Sequence, residues 1–178
     1  MDCGALWACH YNRRSHAHGR LNGGLIAFVP MTRNRTAIID REDEHLVNGW
    51  NWTSSPSGHA FRRDSTTRKS VWMHHLVFVH LIPPGYVVDH INGIPWDNRK
   101  CNLRLATQQQ NCWNTTVRLD NSSGIRGVHF RSDRNVWESR IRAEGKIVIQ
   151  HFRNMEDAIK DRLAKEELYF GEYKRRVM

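Results

Sequence analysis

The sequence has few cysteines, and none is arranged for a structural metal. Cys3, Cys9, Cys101 and Cys112 form no CxxC pair, the spacing that makes a zinc site persuasive. No structural zinc is therefore expected. Cys3, Cys9, His10, His16 and His18 could take a stray metal, but a flexible basic arm over residues 1–24 is the simpler reading. Long apolar runs are also missing. None approaches the roughly 18 residues of a membrane span, and the opening MDCGALWACHYNRRSHAHGR lacks the apolar core of a signal peptide. A soluble, intracellular protein with no membrane partner is expected. Acidic residues are in deficit, with 18 Asp and Glu against 27 Lys and Arg, a net charge of +9 and a pI near 9.9. Such a surface suits polyanions such as nucleic acid, although charge alone does not separate DNA from RNA. The 178 residues suffice for one ordinary domain or two small ones.

Past the arm the pattern tightens. LIAFVP and TAIID read as short strands, and Asp40 with Asp43 can cap a short helix through HLV. Trp50 and Trp52 suit a half-buried strand, HAFRR and KSVWM read as further strands, and SSPSG is a loop between them. Trp72 is expected in the core of this antiparallel sheet. MHHLVFVHL is an apolar, helix-like segment ended by Pro83 and Pro84. His74 and His75 in it are either packing residues or contacts to DNA phosphate.

The stretch VVDHINGIPWDNRKCNLRLATQQQNCWN carries the densest polar chemistry. VVDH is a short strand, INGIPWDN holds two turn signals, LRLA is a returning strand, and Thr107 with Gln110 has the spacing of a capping box that starts a helix. Adjacent residues on a regular strand face opposite ways, so Asp89 and His90 can share a site only if the strand end distorts. Oxygen donors from Asp89 and Asn111 suit a hard divalent cation such as Mg2+, with Mn2+ as a second choice. A neutral His90 can take a proton from water near pH 7. Asn102 can accept from the other ring nitrogen and aim the imidazole. Asn92, Gly93, Asp97 and Asn98 are explained as turn formers, and Asn102 is open to the same explanation.

From Asp89 to Asn111, DHINGIPWDNRKCNLRLATQQQN resembles the HNH endonucleases, in particular their phage homing-endonuclease branch, with MHHLVF resembling the segment that precedes the motif. TAIID, WNW and SGHAFRR extend the resemblance to about residue 25. It implies a zinc-free ββα-metal nuclease with His90 as general base, Asp89 and Asn111 as metal ligands and Asn102 orienting the histidine. It also implies a phage-infected bacterial cytoplasm as the setting. His75 stands where that family often has Arg, so a phosphate contact there depends on protonation.

RLDNSSG marks a second boundary, with residues 118–123 read as a linker. IRGVHF, VWESRIR and KIVIQHF follow as three strands, then a helix from about Met155 to Phe170 with Asn154 as N-cap and Gly171 as its stop. Its apolar stripe reads Met155, Ala158, Ile159 and Leu163, with Glu156–Lys160 and Asp161–Lys165 pairs on the wet side. In VWESRIR, Trp137, Ser139 and Ile141 face the helix while Glu138, Arg140 and Arg142 face away. A sheet bearing arginines can enter a major groove, although a merely solvated charged strand is common.

SGIRGVHFRSDRNVWESRIRAEGKIVIQHFRNMEDAIKDRLAKEELYFGEY resembles an AP2/ERF DNA-binding domain. The resemblance places Arg126, His129, Arg131, Arg140, Arg142 and Lys146 on DNA-facing sheet positions. His129 replaces a usual Arg, and Gln150-His151 replaces a usual Gly-containing turn. Base specificity therefore does not carry over.

The expected fold class is α+β. The expected domains are an arm (1–24), an HNH domain with N-terminal strands (25–117), a linker (118–123), an AP2-like three-stranded sheet on one helix (124–173) and a basic tail (174–178). The expected function is a site-specific, metal-dependent endonuclease of the homing type acting on double-stranded DNA, with a monomer favoured. The alternative is a non-enzymatic DNA-binding regulator with an inactive HNH scaffold. RNA binding is a weaker third reading, since the aromatics occupy core strand positions.

Overall fold

The computed structural model describes residues 17–21 (backbone only), 24–78, 80–115, 117, 121–143 and 145–175. Cys3, Cys9, His10 and His16 lie outside the described residues, as does the His18 side chain. The chain divides into two compact units, Met1–His80 with Pro95–Leu103, and Leu81–Ile94 with Arg104–Met178.

The first unit is built on two small antiparallel sheets. Strands β1 (Ala17–Leu21), β2 (Gly24–Met31) and β3 (Arg35–Asp40) form one, so the end of the segment read as an arm pairs along β2. Apolar residues at alternate positions give this sheet a dry face. Ala27, Val29, Ala37 and Ile39 on that face are almost fully buried, as is Ile26 on the other, and burial of each larger side chain stabilises the fold by about 1.5–3 kcal/mol. Helix α1 (Glu44–Val47) follows a single 3-10 turn. Neither Asp40 nor Asp43 caps these turns with its side chain. Both are taken by Lys100, whose backbone N–H donates to Asp40 Oδ2 at 2.8 Å and whose Nζ reaches Asp43 Oδ1 at 2.8 Å.

Strands β4 (Thr53–Ser54), β5 (Ala60–Arg63) and β6 (Ser70–Trp72) form the second sheet. Trp52 is buried and donates Nε1–H to Val47 O at 3.0 Å, while Trp50 lies exposed under Arg62. Trp72 is half-buried against Phe61. Helix α2 (Met73–Val77) ends at Phe78, before the prolines are reached.

In the second unit, β7 (Tyr86–His90) pairs with β8 (Leu103–Thr107, whose first residue is counted in the first unit), and α3 (Gln108–Trp113) follows directly. The capping box is complete. Thr107 Oγ1 accepts from Gln110 N at 3.2 Å and Gln110 Oε1 from Thr107 N at 2.8 Å, which stabilises the helix start by about 1 kcal/mol.

Strands β9 (Val128–Arg131), β10 (Val136–Ala143) and β11 (Lys146–Phe152) form an antiparallel sheet in the order β11-β10-β9, and α4 (Met155–Phe170) packs on it. Asn154 Oδ1 accepts from Asp157 N at 2.9 Å as the N-cap, and Gly171 with φ +51° ends the helix. The buried face of α4 departs from the apolar stripe. Leu163 is 48% exposed, whereas Arg162 is 3% exposed. Gly127 explains the exchange. A Cβ there would lie 2.3 Å from Arg140 O and 3.1 Å from the Arg162 guanidinium, so only glycine lets Arg162 Nη1 reach Arg140 O at 2.6 Å while its Nε holds Glu166 at 2.9 Å. Asp161 and Lys165 pair at 2.5 Å, partly buried against the sheet and not on an open face. Ile141, Ala143 and Phe170 form a small core, and Trp113 of α3 packs on it with its ring stacked on Phe170 at 4.4 Å.

Candidate functional site

Asp89 and His90 sit at the end of β7, where the last three residues of the strand are all buried. Both faces of the strand end are therefore covered by protein. The turn after His90 is built by Asn92 and Gly93, with Gly93 N–H donating to His90 O at 2.8 Å, Ile94 N–H donating to Asn92 Oδ1 at 2.8 Å, and Gly93 at φ +69°.

Two side chains that the sequence reading passed over hold this strand end. Asn114, one residue past α3, donates Nδ2–H to His90 O at 2.7 Å and lies 3.1 and 3.2 Å from the two oxygens of Asp89. Its own Oδ1 is buried without a hydrogen-bond partner. Arg104 of β8 donates Nε–H to Asp89 Oδ2 at 2.9 Å, and its Nη2 lies 2.8 Å from the same oxygen as a charge contact off the hydrogen-bond direction. The available sequence signals were the i,i+3 spacing of Asn111 and Asn114, which puts both on one helical face, and a charged residue inside the alternating LRLA.

Asn111 is half-buried on α3, within the same unit as Asp89 and His90. Asn102 is counted in the first unit. There it is buried and donates Nδ2–H to Asp97 O at 2.7 Å. Asp97 and Asn98, read as turn formers, are also buried and tied into the first unit. Asn98 N–H donates to Ile38 O at 2.7 Å, and the Asp97 carboxylate takes Arg99 Nε at 2.8 Å and Nη2 at 2.7 Å.

His74 is buried among the rings of His59, Trp72 and His75. The His75 ring stands edge-on to His74 at 4.5 Å, and the protein packed around it holds its pKa below the ordinary histidine value. A contact from His75 to phosphate near neutral pH would be that of a neutral donor.

On the open face of β9–β11, Arg140 and Arg142 are exposed and have no ion pair among the described residues. Lys146 is exposed at the start of β11, and Arg126 is exposed with its guanidinium donating to Cys112 O. Glu138 is 4% exposed, a buried acid in the middle of that face. It lies 3.2 Å from His129 Nε2, 3.4 Å from His151 Nε2 and 3.7 Å from Arg131, which is bound more closely by Asp133 at 3.0 Å. His129 and Arg131 are thus engaged within the sheet, whereas Arg140, Arg142 and Lys146 point an uncompensated positive charge outward.

The oxygen donors at the strand end fit a hard divalent cation in chemical type. Asp89 supplies a buried carboxylate and Asn114 a buried acceptor with no partner among the described residues, while Asn111 on α3 is a half-buried amide of the same unit. Among the described residues, no group of three or more His, Cys, Asp or Glu could hold a metal ion. Such a cation would therefore depend on amide oxygens, water and substrate as well as on Asp89. No helix among the described residues is long and apolar enough to cross a membrane.

Residues 71–112 match the family model of the HNH endonucleases, a span that contains Asp89, His90, Asn102 and Asn111. Protein 3.8 of Escherichia phage T7 is 42% identical over 65 residues, 36% of this chain and 54% of the phage protein. An uncharacterized HNH endonuclease of Acanthamoeba polyphaga mimivirus is 28% identical over 138 residues, 77% of this chain and 72% of that protein. The chain thus spans about half the length of the phage relative. No solved structure matches significantly. From Val71 to Cys112 the chain is similar to the HNH endonucleases, and the two relatives come from a phage and a giant virus.

Proposed function

We propose that the protein is a site-specific, divalent-metal-dependent DNA endonuclease of the homing type, in which the Asp89–His90 strand end cuts and the basic sheet face anchors the chain on a long duplex site. The observation that carries this reading is the burial of Asp89 and His90 together at the end of β7, both tied to Asn114.

His90 is the general base. Its backbone is fixed by Asn114, and a neutral imidazole can accept a proton from an attacking water. Asn102 donates its Nδ2–H to Asp97 O, which sets which end of its amide is the oxygen able to accept. Asp89 and Asn111 would hold the cation, Mg2+ by preference, which when bound polarises the scissile phosphate and stabilises the leaving oxygen. Arg140, Arg142 and Lys146 carry most of the phosphate attraction, with Arg126, His129 and Arg131 at the edges of the same AP2-like surface. Binding at two places raises the effective concentration of the scissile phosphate at His90, so selectivity need not come from the catalytic unit. A monomer presents one such site and nicks one strand.

Incubation of candidate duplexes with the protein and Mg2+, with chelator, and with His90→Ala tests the proposal. Cleavage that needs Mg2+ and His90 is expected, and full metal-dependent cutting by His90→Ala would sink the mechanism. Tight duplex binding with no cutting under any metal would favour the regulator reading, for which the open arginines of β10 would suffice.

A further inference from the structure

We propose that Arg104 sets the metal affinity of the candidate site, as the counter-cation of Asp89 that an incoming divalent ion must displace. This rests on the reading of Asp89 as a metal ligand. The pair is shielded, with the Arg104 and Asp89 side chains 11% and 5% exposed, so water does little to weaken the attraction. Two nitrogens of Arg104 converge on Oδ2, and the amide of Asn114 lies against both carboxylate oxygens. A divalent cation approaching that carboxylate meets a guanidinium already in place, and two cations on one oxygen repel.

Arg104 also has a second seat that it occupies before any release. Its Nη1 donates to Glu172 O at 2.5 Å, and its guanidinium carbon lies 4.6 Å from the centre of the Tyr173 ring. Tyr173 is fixed in turn by its hydroxyl, which donates to Leu105 O at 3.2 Å. A displaced guanidinium therefore keeps a carbonyl and an aromatic face instead of swinging into water. Arg104 is on these grounds a positioning residue for Asp89, and residues just past α4 hold its other end.

Direct Mn2+ titration by calorimetry, with electron paramagnetic resonance counting free ion, tests this on the full chain without DNA. Four proteins are compared: the parent, Asp89→Asn, Arg104→Gln and Arg104→Lys. Arg104→Gln is expected to bind Mn2+ about tenfold more tightly, the scale of one charge-assisted contact released. Arg104→Lys, which keeps the charge but not the fork, is expected to tighten binding by about threefold. It also serves as the reporter should Arg104→Gln fail to fold. Unchanged or weaker binding in the folded variants, with Asp89→Asn losing the ion, overturns the role of Arg104 and leaves the metal-ligand reading intact. Parent-like binding by Asp89→Asn, or none by the parent, overturns both.

Discussion

Among the described residues, two buried aspartate–arginine pairs are nearly alike in exposure and closest distance yet differ in what surrounds them. In the first unit, Asp97 and Arg99 are two residues apart, and both Nε and Nη2 of the arginine engage Asp97. The pair locks the 95–103 segment, whose backbone also bonds to Ile38. In the second unit, Asp89 and Arg104 come from opposite strands, and each has further partners, Asn114 for the acid and Glu172 O with Tyr173 for the base. The lesson is that a buried ion pair has no fixed meaning. One that joins near neighbours in the chain is a clamp; one whose members come from separate strands and hold other groups too can open at lower cost.

The largest expected effect separates the pairs by activity. Asp89→Asn and His90→Ala should each lower metal-dependent cleavage by about 10^2–10^4-fold, the usual worth of a lost acid–base or charge-stabilising group, with circular dichroism showing the parent fold. Retained cleavage in folded Asp89→Asn would break the comparison.

Stability should separate them in the opposite sense. Asp97→Ala removes the carboxylate that Arg99 Nε and Nη2 both engage and should cost about 3–5 kcal/mol in urea unfolding. Asp89→Asn, which leaves Arg104 its carbonyl and ring, should cost about 1–2 kcal/mol. Equal losses would mean that both pairs are clamps.

A third contrast sets paired arginines against the open ones. Arg140→Ala and Arg142→Ala should each weaken duplex binding and flatten the slope of log affinity against log salt by about one. Arg131→Ala, whose charge is already shared with Asp133 and Glu138, should change the slope less. Parent-like slopes for the β10 variants would remove the DNA face from β10.

The smallest effect concerns pH. The His75 pKa lies below its unfolded value of about 6.5 because its surroundings disfavour charge. Its contribution to stability is therefore complete above that value and falls as pH drops through it toward the folded pKa. His75→Gln should flatten this part of the pH–stability curve, measured by urea midpoints between pH 7.5 and 5 (about 2.5 pH units). An unchanged curve would mean that His75 is not the group responsible.

Features set by neighbours in the chain were legible in the sequence. The Thr107–Gln110 capping box, the Asn154 cap, the Gly171 stop and the strands alternating at period two all depend on residues a few positions apart. What escaped depends on distant partners. Arg162 displaces Leu163 from the buried face of α4 because Gly127, far off in sequence, has no Cβ. Asp43 is no helix cap because Lys100 takes its carboxylate, and Asp97 is more than a turn former because Arg99 and Ile38 make it an anchor. Asp89, His90 and Asn111 stand out in the sequence as candidates by residue type. Arg104 and Asn114 do not, since an arginine on a strand and an asparagine after a helix are ordinary until the fold puts them against one carboxylate. Arg175 belongs with them, donating to Asn114 O from a segment read only as a basic tail.

The stack of Trp113 on Phe170, together with the two-part division of the chain, bears on how such a protein can be cut apart and recombined. The backbone passes from one unit to the other after His80, after Ile94 and after Leu103. Neither unit is thus a continuous length of polypeptide. A gene split at the 118–123 segment would leave Trp113 on one fragment and the Phe170 ring that covers it on the other. Recombination that grafts only one half should therefore yield poorly folded products. Exchange between such proteins is expected to succeed when Trp113 and Phe170 travel together.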